Sequence, residues 1–160
     1  MSVAIIMGSK SDYSMVQKTE KVLKDFDVPF TTKILSAHRT PEETWAFAVN
    51  AEKTGVEVFI AVAGMAAHLA GSLAAYTIIP VIGVPIKSDT LSGWDALLST
   101  VQMPPGVPVA TVAINGMENA AILAIQMLSL KSPELKEKLL KHKSDMKEKV
   151  IKDGKEIEEK

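Results

Sequence analysis

Cysteine is absent from the sequence. That removes disulfides, thiolate nucleophiles and cysteine-based zinc sites, and it agrees with a reducing compartment. Aromatic residues make up only 5%, against 47% hydrophobic residues overall. The core must therefore be built from Ala, Val, Ile, Leu and Met, whose small side chains let helices sit close to a sheet. An excess of one charge is also missing. The net charge of −1 gives no global field to attract nucleic acid or an anionic membrane, so any phosphate recognition must be local. Arginine is nearly absent: Arg39 is the only one among 18 Lys and Arg.

What remains is a chain of 160 residues, the size of one ordinary domain and long enough to bury a core without staples. Residues 58–86 carry no Asp, Glu, Lys or Arg. Gly64, Gly71, Pro80, Gly83 and Pro85 cut that run into pieces shorter than the roughly 20 residues of a spanning helix. A buried soluble core is expected instead. The stretch Met1–Met7 has neither the basic region nor the cleavage site of a secretory signal, so a cytoplasmic location is expected.

Short apolar runs alternate with helical patterns. Strands are expected at Val3–Met7, Phe30–Leu35, Val56–Ala63, Pro80–Val84 and Val107–Ile114. Helices are expected at Tyr13–Phe26, from Thr40, at Ala66–Tyr76, Trp94–Val101 and Glu118–Ser129, and from Pro133 onward. Thr40, Pro41 and Glu43 form a Thr-x-x-Glu capping box pattern. The strands are continuous apolar runs rather than alternating ones, which marks a parallel sheet covered on both faces. The expected fold is a three-layer α/β/α sandwich on a five-stranded, flavodoxin- or Rossmann-like parallel sheet. It spans 1–160 as one domain.

Two features predict self-association. Ala66–Tyr76 is apolar nearly all round, and such a helix needs burial on every side. The C-terminal helix, 133–160, carries a stripe of Leu135, Leu139, His142, Met146, Val150 and Ile157, suited to a neighbouring subunit. His142 on that stripe reads as a packing residue. From Lys131 to Lys160 there are ten Lys and eight Asp or Glu, a mixed balance that suits a solvated face.

In open parallel sheets, ligands bind beyond the carboxyl ends of the strands. Three loops there carry polar residues. Gly8-Ser9-Lys10-Ser11-Asp12 offers close backbone approach, two hydroxyls, a carboxylate and a helix N-terminus, all suited to a phosphate monoester and a ribose. The same residues also describe an ordinary N-cap, and the two readings stay open. The loop matches neither a Walker motif nor a dinucleotide fingerprint. Ser36-Ala37-His38-Arg39-Thr40-Pro41 places a guanidinium, an effective phosphate clamp, beside a histidine able to exchange protons near neutral pH. Gly64-Met65-Ala66-Ala67-His68-Leu69-Ala70-Gly71 could hold a carboxylate on its free N–H groups or serve only as a close-packed turn. His68 there either lines a pocket or is a core histidine bonded to a carbonyl. With three dispersed histidines and no His-x-x-x-His pair, no metal site is expected. No Gly-x-Ser-x-Gly elbow supports a serine hydrolase.

These segments occur in register with Pro80-Val81-Ile82-Gly83-Val84-Pro85, with Leu97-Leu98-Ser99-Thr100-Val101-Gln102-Met103-Pro104 and with Gly106-Val107-Pro108-Val109-Ala110-Thr111. Together they resemble the bacterial, class I 5-(carboxyamino)imidazole ribonucleotide mutases, also called phosphoribosylaminoimidazole carboxylase catalytic subunits. The resemblance covers nearly the whole chain. It implies an isomerase of de novo purine biosynthesis working without ATP, metal, biotin or other cofactor. It implies that His38 is the catalytic proton shuttle and that Ser9, Asp12 and Arg39 contact phosphate and ribose. Gly8, Ser11, Ser36, Gly64, Ala66, His68 and Leu69 would line the same pocket. It also implies a cytoplasmic homo-oligomer, typically an octamer, with a small-molecule substrate and no nucleic-acid or membrane partner.

The sequence departs from that family's pattern in the third loop, usually Gly-Gly-Ala-Ala-His-Leu-Pro-Gly. Met65 replaces the second glycine and Ala70 the proline, which bears on the local loop shape. The turn Asn115-Gly116-Met117-Glu118-Asn119 is also shorter than in many relatives. Two other readings compete. One is the related carboxylase acting on aminoimidazole ribonucleotide and free carbon dioxide, a branch that usually lacks the histidine matching His68. The other is a non-catalytic phosphosugar-binding module. A flavin carrier is disfavoured because the loops lack aromatic residues to stack the ring.

Overall fold

The computed structural model describes residues 1–158. Five strands form one parallel sheet in the order β2-β1-β3-β4-β5. They are β1 (Ser2–Met7), β2 (Phe30–Ile34), β3 (Val56–Gly64), β4 (Val81–Ile86) and β5 (Ala110–Thr111). The helices are α1 (Tyr13–Asp25), α2 (Pro41–Asn50), α3 (Leu69–Tyr76), α4 (Trp94–Val101), α5 (Met117–Ser129) and α6 (Pro133–Glu158).

The continuous apolar strands are apolar because both faces are covered. Along β1, Val3, Ile5 and Met7 join one core while Ala4 and Ile6 join the other. Along β3, Val58, Ile60 and Val62 face the first core, and Phe59 and Ala61 the second. The first core is completed by Val16 and Leu23 of α1, by α5, and by Leu135 and Leu139 of α6. The second is completed by Ala48 of α2 and by Leu69, Ala70 and Leu73 of α3. Ile5, Ile6, Phe59 and Ile60 have no exposed surface. Fully burying side chains of this size stabilises by about 1.5–3 kcal/mol each.

Four expectations need correction. β4 runs over Val81–Ile86 rather than Pro80–Val84. β5 pairs only at Ala110 and Thr111, not along Val107–Ile114. Pro108 has no N–H to donate, and β5 has a single neighbour, β4. α3 begins at Leu69 rather than Ala66. The chain turns at Met65, whose φ is +55°, and His68 N–H donates to the Ala66 carbonyl at 2.8 Å. The capping box at α2 does not form, since Thr40 makes no side-chain cap bond. Its Oγ1 instead accepts from Ser36 N–H at 2.9 Å and reaches the Ser36 carbonyl at 3.2 Å, which closes the preceding loop.

His142 packs edge-on against Phe26, ring centroids 5.6 Å apart. Beyond it, residues 143–158 are all exposed, leaving roughly 24 Å of helix free of the body at 1.5 Å per residue. Val150 and Ile157 on this stretch are 71% and 73% exposed. Residues 159 and 160, included in the helix expected from sequence, lie outside the described residues. No helix among those described is long and apolar enough to cross a membrane.

Candidate active site

The carboxyl ends of β1, β2, β3 and β4 point the same way, and the loops that follow them surround a cavity of about 570 Å³. Gly8, Ser9, Ser11 and Asp12 supply the wall after β1, and Ser36, His38 and Arg39 the wall after β2. Gly64, Ala66, His68 and Leu69 supply the wall after β3. Every residue singled out as a site candidate from sequence therefore lines one cavity.

The first loop is both a cap and a polar rim. Ser9 is extended and caps the short turn Lys10–Asp12, accepting from Ser11 N–H at 3.3 Å. The Ser11 hydroxyl lies 2.9 Å from Ser9 Oγ and 3.1 Å from Asp12 Oδ1. Its single proton serves one acceptor at a time, so an incoming anion can take it without breaking the turn. Burial raises the Asp12 carboxyl above its ordinary value, opposed by the Ser11 hydrogen bond and the Arg39 charge.

Arg39 ties the second loop to the first. Its backbone N–H and Nε both donate to Ser36 Oγ, at 3.2 and 3.4 Å, and its Nη2 donates to the Gly8 carbonyl. The guanidinium is thus held in one orientation on the cavity wall, with donors to spare for a phosphate. Beside it, His38 Nε2 lies 2.7 Å from His68 Nδ1, the rings crossing at 78°. A contact that short needs one hydrogen between the nitrogens, so one ring donates and the other accepts. The outer nitrogens, His38 Nδ1 and His68 Nε2, remain for a ligand. This settles the position left open for His68: it is an exposed wall residue and bonds to His38, not to a core carbonyl.

The cavity also holds residues the sequence reading left out of the site: Ala37, Ala63, Met65, Ile86, Lys87 and Ser88. The signal for the last three was available. Ile86 ends a parallel strand and Lys87 and Ser88 follow it, at the same edge as the other loops. Met65, the departure from the family pattern, takes the left-handed conformation a glycine adopts freely and is 66% exposed. Among the described residues, no group of three His, Cys, Asp or Glu could hold a metal ion.

Residues 2–149 match the family model described as AIR carboxylase. The chain belongs to the AIR carboxylase family. Relatives within it include the N5-carboxyaminoimidazole ribonucleotide mutase of Pyrococcus abyssi, 61% identical over 91% of this chain and 83% of the relative. The mutase of Pyrococcus horikoshii is 54% identical over 98% and 89%. A crystal structure of Treponema denticola PurE superposes with a TM-score of 0.84 at 29% identity, covering 94% of each chain. The AIR carboxylase fold thus accounts for the sheet and for the loops that build the cavity.

Proposed function

We propose that this chain converts 5-carboxyaminoimidazole ribonucleotide to 4-carboxy-5-aminoimidazole ribonucleotide, an intramolecular carboxyl transfer of de novo purine biosynthesis. The observation that carries the reading is the His38–His68 pair, 2.7 Å apart, on a cavity that also holds Arg39 and the Ser9–Asp12 loop. The names of the Pyrococcus relatives support it.

Arg39, Ser9 and Ser11 hold the phosphate, and Asp12 accepts from the ribose hydroxyls. Ser36, Gly8, Gly64, Ala66, His68 and Leu69 enclose the rest of the nucleotide. His38 is the catalytic residue. It donates a proton to the carbamate nitrogen as the N–C bond breaks and carbon dioxide leaves. The neighbouring ring carbon attacks the trapped carbon dioxide, and His38 takes the proton that this carbon sheds. The imidazole is regenerated and the proton count closes. His68 holds the His38 ring through the shared hydrogen. Enclosure supplies effective molarity, and one histidine serves first as acid and then as base. The substrate brings its own carboxyl group, so the sequence of steps calls on no ATP, biotin, metal or other cofactor.

The reaction is followed by ultraviolet absorbance on chelator-treated protein with 5-carboxyaminoimidazole ribonucleotide and no ATP or bicarbonate. Rapid formation of the ring-carboxylated product is expected, and its absence defeats the proposal. His38→Asn should abolish turnover while keeping nucleotide binding; loss of both would make His38 a binding or structural residue. The family description, AIR carboxylase, favours one second reading: direct carboxylation of aminoimidazole ribonucleotide by carbon dioxide. Turnover of that nucleotide only when bicarbonate is added would select it.

The chain acts as one α/β domain in a cytoplasmic homo-oligomer, an octamer, with α6 docked on a neighbouring subunit. Apolar residues left uncovered support burial against further copies: Ile78 at 92%, Leu130 at 89% and the outer stripe of α6. The mass from sedimentation equilibrium tests it, a monomer being the contrary result.

A further inference from the structure

The substrate class proposed above carries two anionic groups, a phosphate on the ribose and a carboxylate at the ring. Two lining residues have cationic side chains, Arg39 and Lys87. Arg39 follows β2 and Lys87 follows β4, and the strand order is β2-β1-β3-β4. With about 4.8 Å between neighbouring strands, the carboxyl ends of β2 and β4 lie roughly 14 Å apart. The His38–His68 pair bridges the loops after β2 and β3 on the same cavity wall.

Lys87 is held in place by its backbone. The last register pair between β3 and β4 is Gly64 with Ile86, which sets Lys87 beside the Met65 turn. The Lys87 N–H donates to Asn115 Oδ1 at 3.0 Å, and Asn115 N–H donates to the Pro85 carbonyl at 2.9 Å. Asn115 holds a φ of +59° to do this. One residue thus clips the end of β4 from both sides of Ile86. The ammonium itself is uncommitted: among the described residues Lys87 makes no ion pair. Nearby, Asp95 is engaged by the Ser88 hydroxyl at 3.4 Å. Arg39, by contrast, is tied to Gly8 and Ser36 and stands near Asp12.

We infer that Lys87 recognises the carboxylate of the nucleotide, while Arg39 takes its phosphate, and that Asn115 is the positioning residue for Lys87. The inference rests on the function proposed above. An ammonium is a point charge with three donors on a flexible stem. It can follow a carboxylate from the exocyclic nitrogen to the adjacent ring carbon without the fixed geometry a guanidinium would impose.

The test is calorimetric binding of two nucleotides to the intact protein. Aminoimidazole ribonucleotide carries the phosphate alone; 4-carboxy-5-aminoimidazole ribonucleotide carries both anions. Lys87→Ala should weaken the carboxylated nucleotide about tenfold and the uncarboxylated one less than twofold. Lys87→Arg should recover part of the loss. Asn115→Ala should shift affinity in the same selective direction by a smaller factor. Equal weakening of both nucleotides by Lys87→Ala, or no weakening of either, would overturn the inference while leaving the mutase reading intact. Failure of the wild-type protein to bind either nucleotide would overturn both.

Discussion

Met65 stands at φ +55° on the cavity wall, a conformation in which an L side chain crowds its own backbone. That costs about 1–2 kcal/mol. Glycine removes the crowding but gives up roughly 0.5–1 kcal/mol more chain entropy on folding. The Met65 side chain is 66% exposed, so its deletion forfeits little burial. The balance for Met65→Gly is a gain of about 0.5–1 kcal/mol. For a chain of this size each kcal/mol moves Tm by about 2–4 °C, so the melt should rise by roughly 1–4 °C. Thermal denaturation by circular dichroism, with a rescan to establish reversibility, measures it. Met65→Ala is the comparator: it removes the thioether but keeps the crowding, and should show no such rise. If glycine leaves Tm unchanged or lowers it, or if alanine stabilises equally, the strain assigned to this turn is wrong.

Gly83 gives a packing test in the opposite direction. A methyl there would fall 2.3 Å from Thr100 Cγ2 and 3.0 Å from Val109 Cγ1. Thr100 is buried and its hydroxyl is held by the Ala96 carbonyl at 2.7 Å. Gly83→Ala should therefore cost about 1–3 kcal/mol. Adding Thr100→Ser, which deletes the offending methyl, should recover part of that loss in a double-mutant cycle, and additivity of the two losses would refute the clash. Asp12 offers a pH test. Its carboxyl is raised in the fold, chiefly by burial, so between the unfolded and the folded value the native state binds more proton than the unfolded chain. The associated stability is present below the unfolded value of 3.8 and is lost as pH rises through the folded one. Asp12→Asn should then gain stability relative to the wild type between acidic and neutral pH, while weakening nucleotide binding; a difference in Tm that is flat with pH speaks against it. Arg39→Lys should raise KM about tenfold with a smaller effect on kcat, because a lysine cannot hold Gly8 and Ser36 and also present a planar fork. An unchanged KM would remove Arg39 from substrate binding.

The parts of the fold that were legible in sequence are those decided locally. Ile5 and Ile6 are adjacent and both fully buried, as a strand covered on two faces requires, and the unbroken apolar run says as much. β5 was misread because pairing is not local. Val107–Ile114 is equally apolar, yet only Ala110 and Thr111 are in register with β4. Ala66 and Ala67 favour helix by propensity, but the backbone reverses at Met65 first. Thr40 has the right chemistry for a cap and a competing partner four residues earlier, in Ser36. The same division holds at the site. The loops after β1, β2 and β3 could be found from the rule that parallel strands deliver ligands to their carboxyl ends. Ending β4 at Val84 in the sequence reading hid Lys87. The clip from Asn115, 28 residues further on, and the contact between His38 and His68, 30 residues apart, exist only once the sheet has formed.

In the proposed reaction, the proton given to the carbamate nitrogen is recovered from the neighbouring ring carbon, so the protein ends each turnover as it began. A site for such a reaction needs one exchangeable proton and a nucleotide that does not move. It does not need a separate acid and base. The cavity matches that requirement. One histidine pair supplies the exchangeable proton, and the same cavity is lined by two cationic side chains, Arg39 after β2 and Lys87 after β4. With both ends of the nucleotide held, the nitrogen and the carbon that trade the carboxyl group present themselves to the same imidazole in turn. Holding only the phosphate would leave the carboxylated ring free to swing away from His38 before its carboxyl group departs and after it has returned. A cation at the β4 end that follows the carboxyl group, on a backbone held by Asn115, would steady the ring in both of those states.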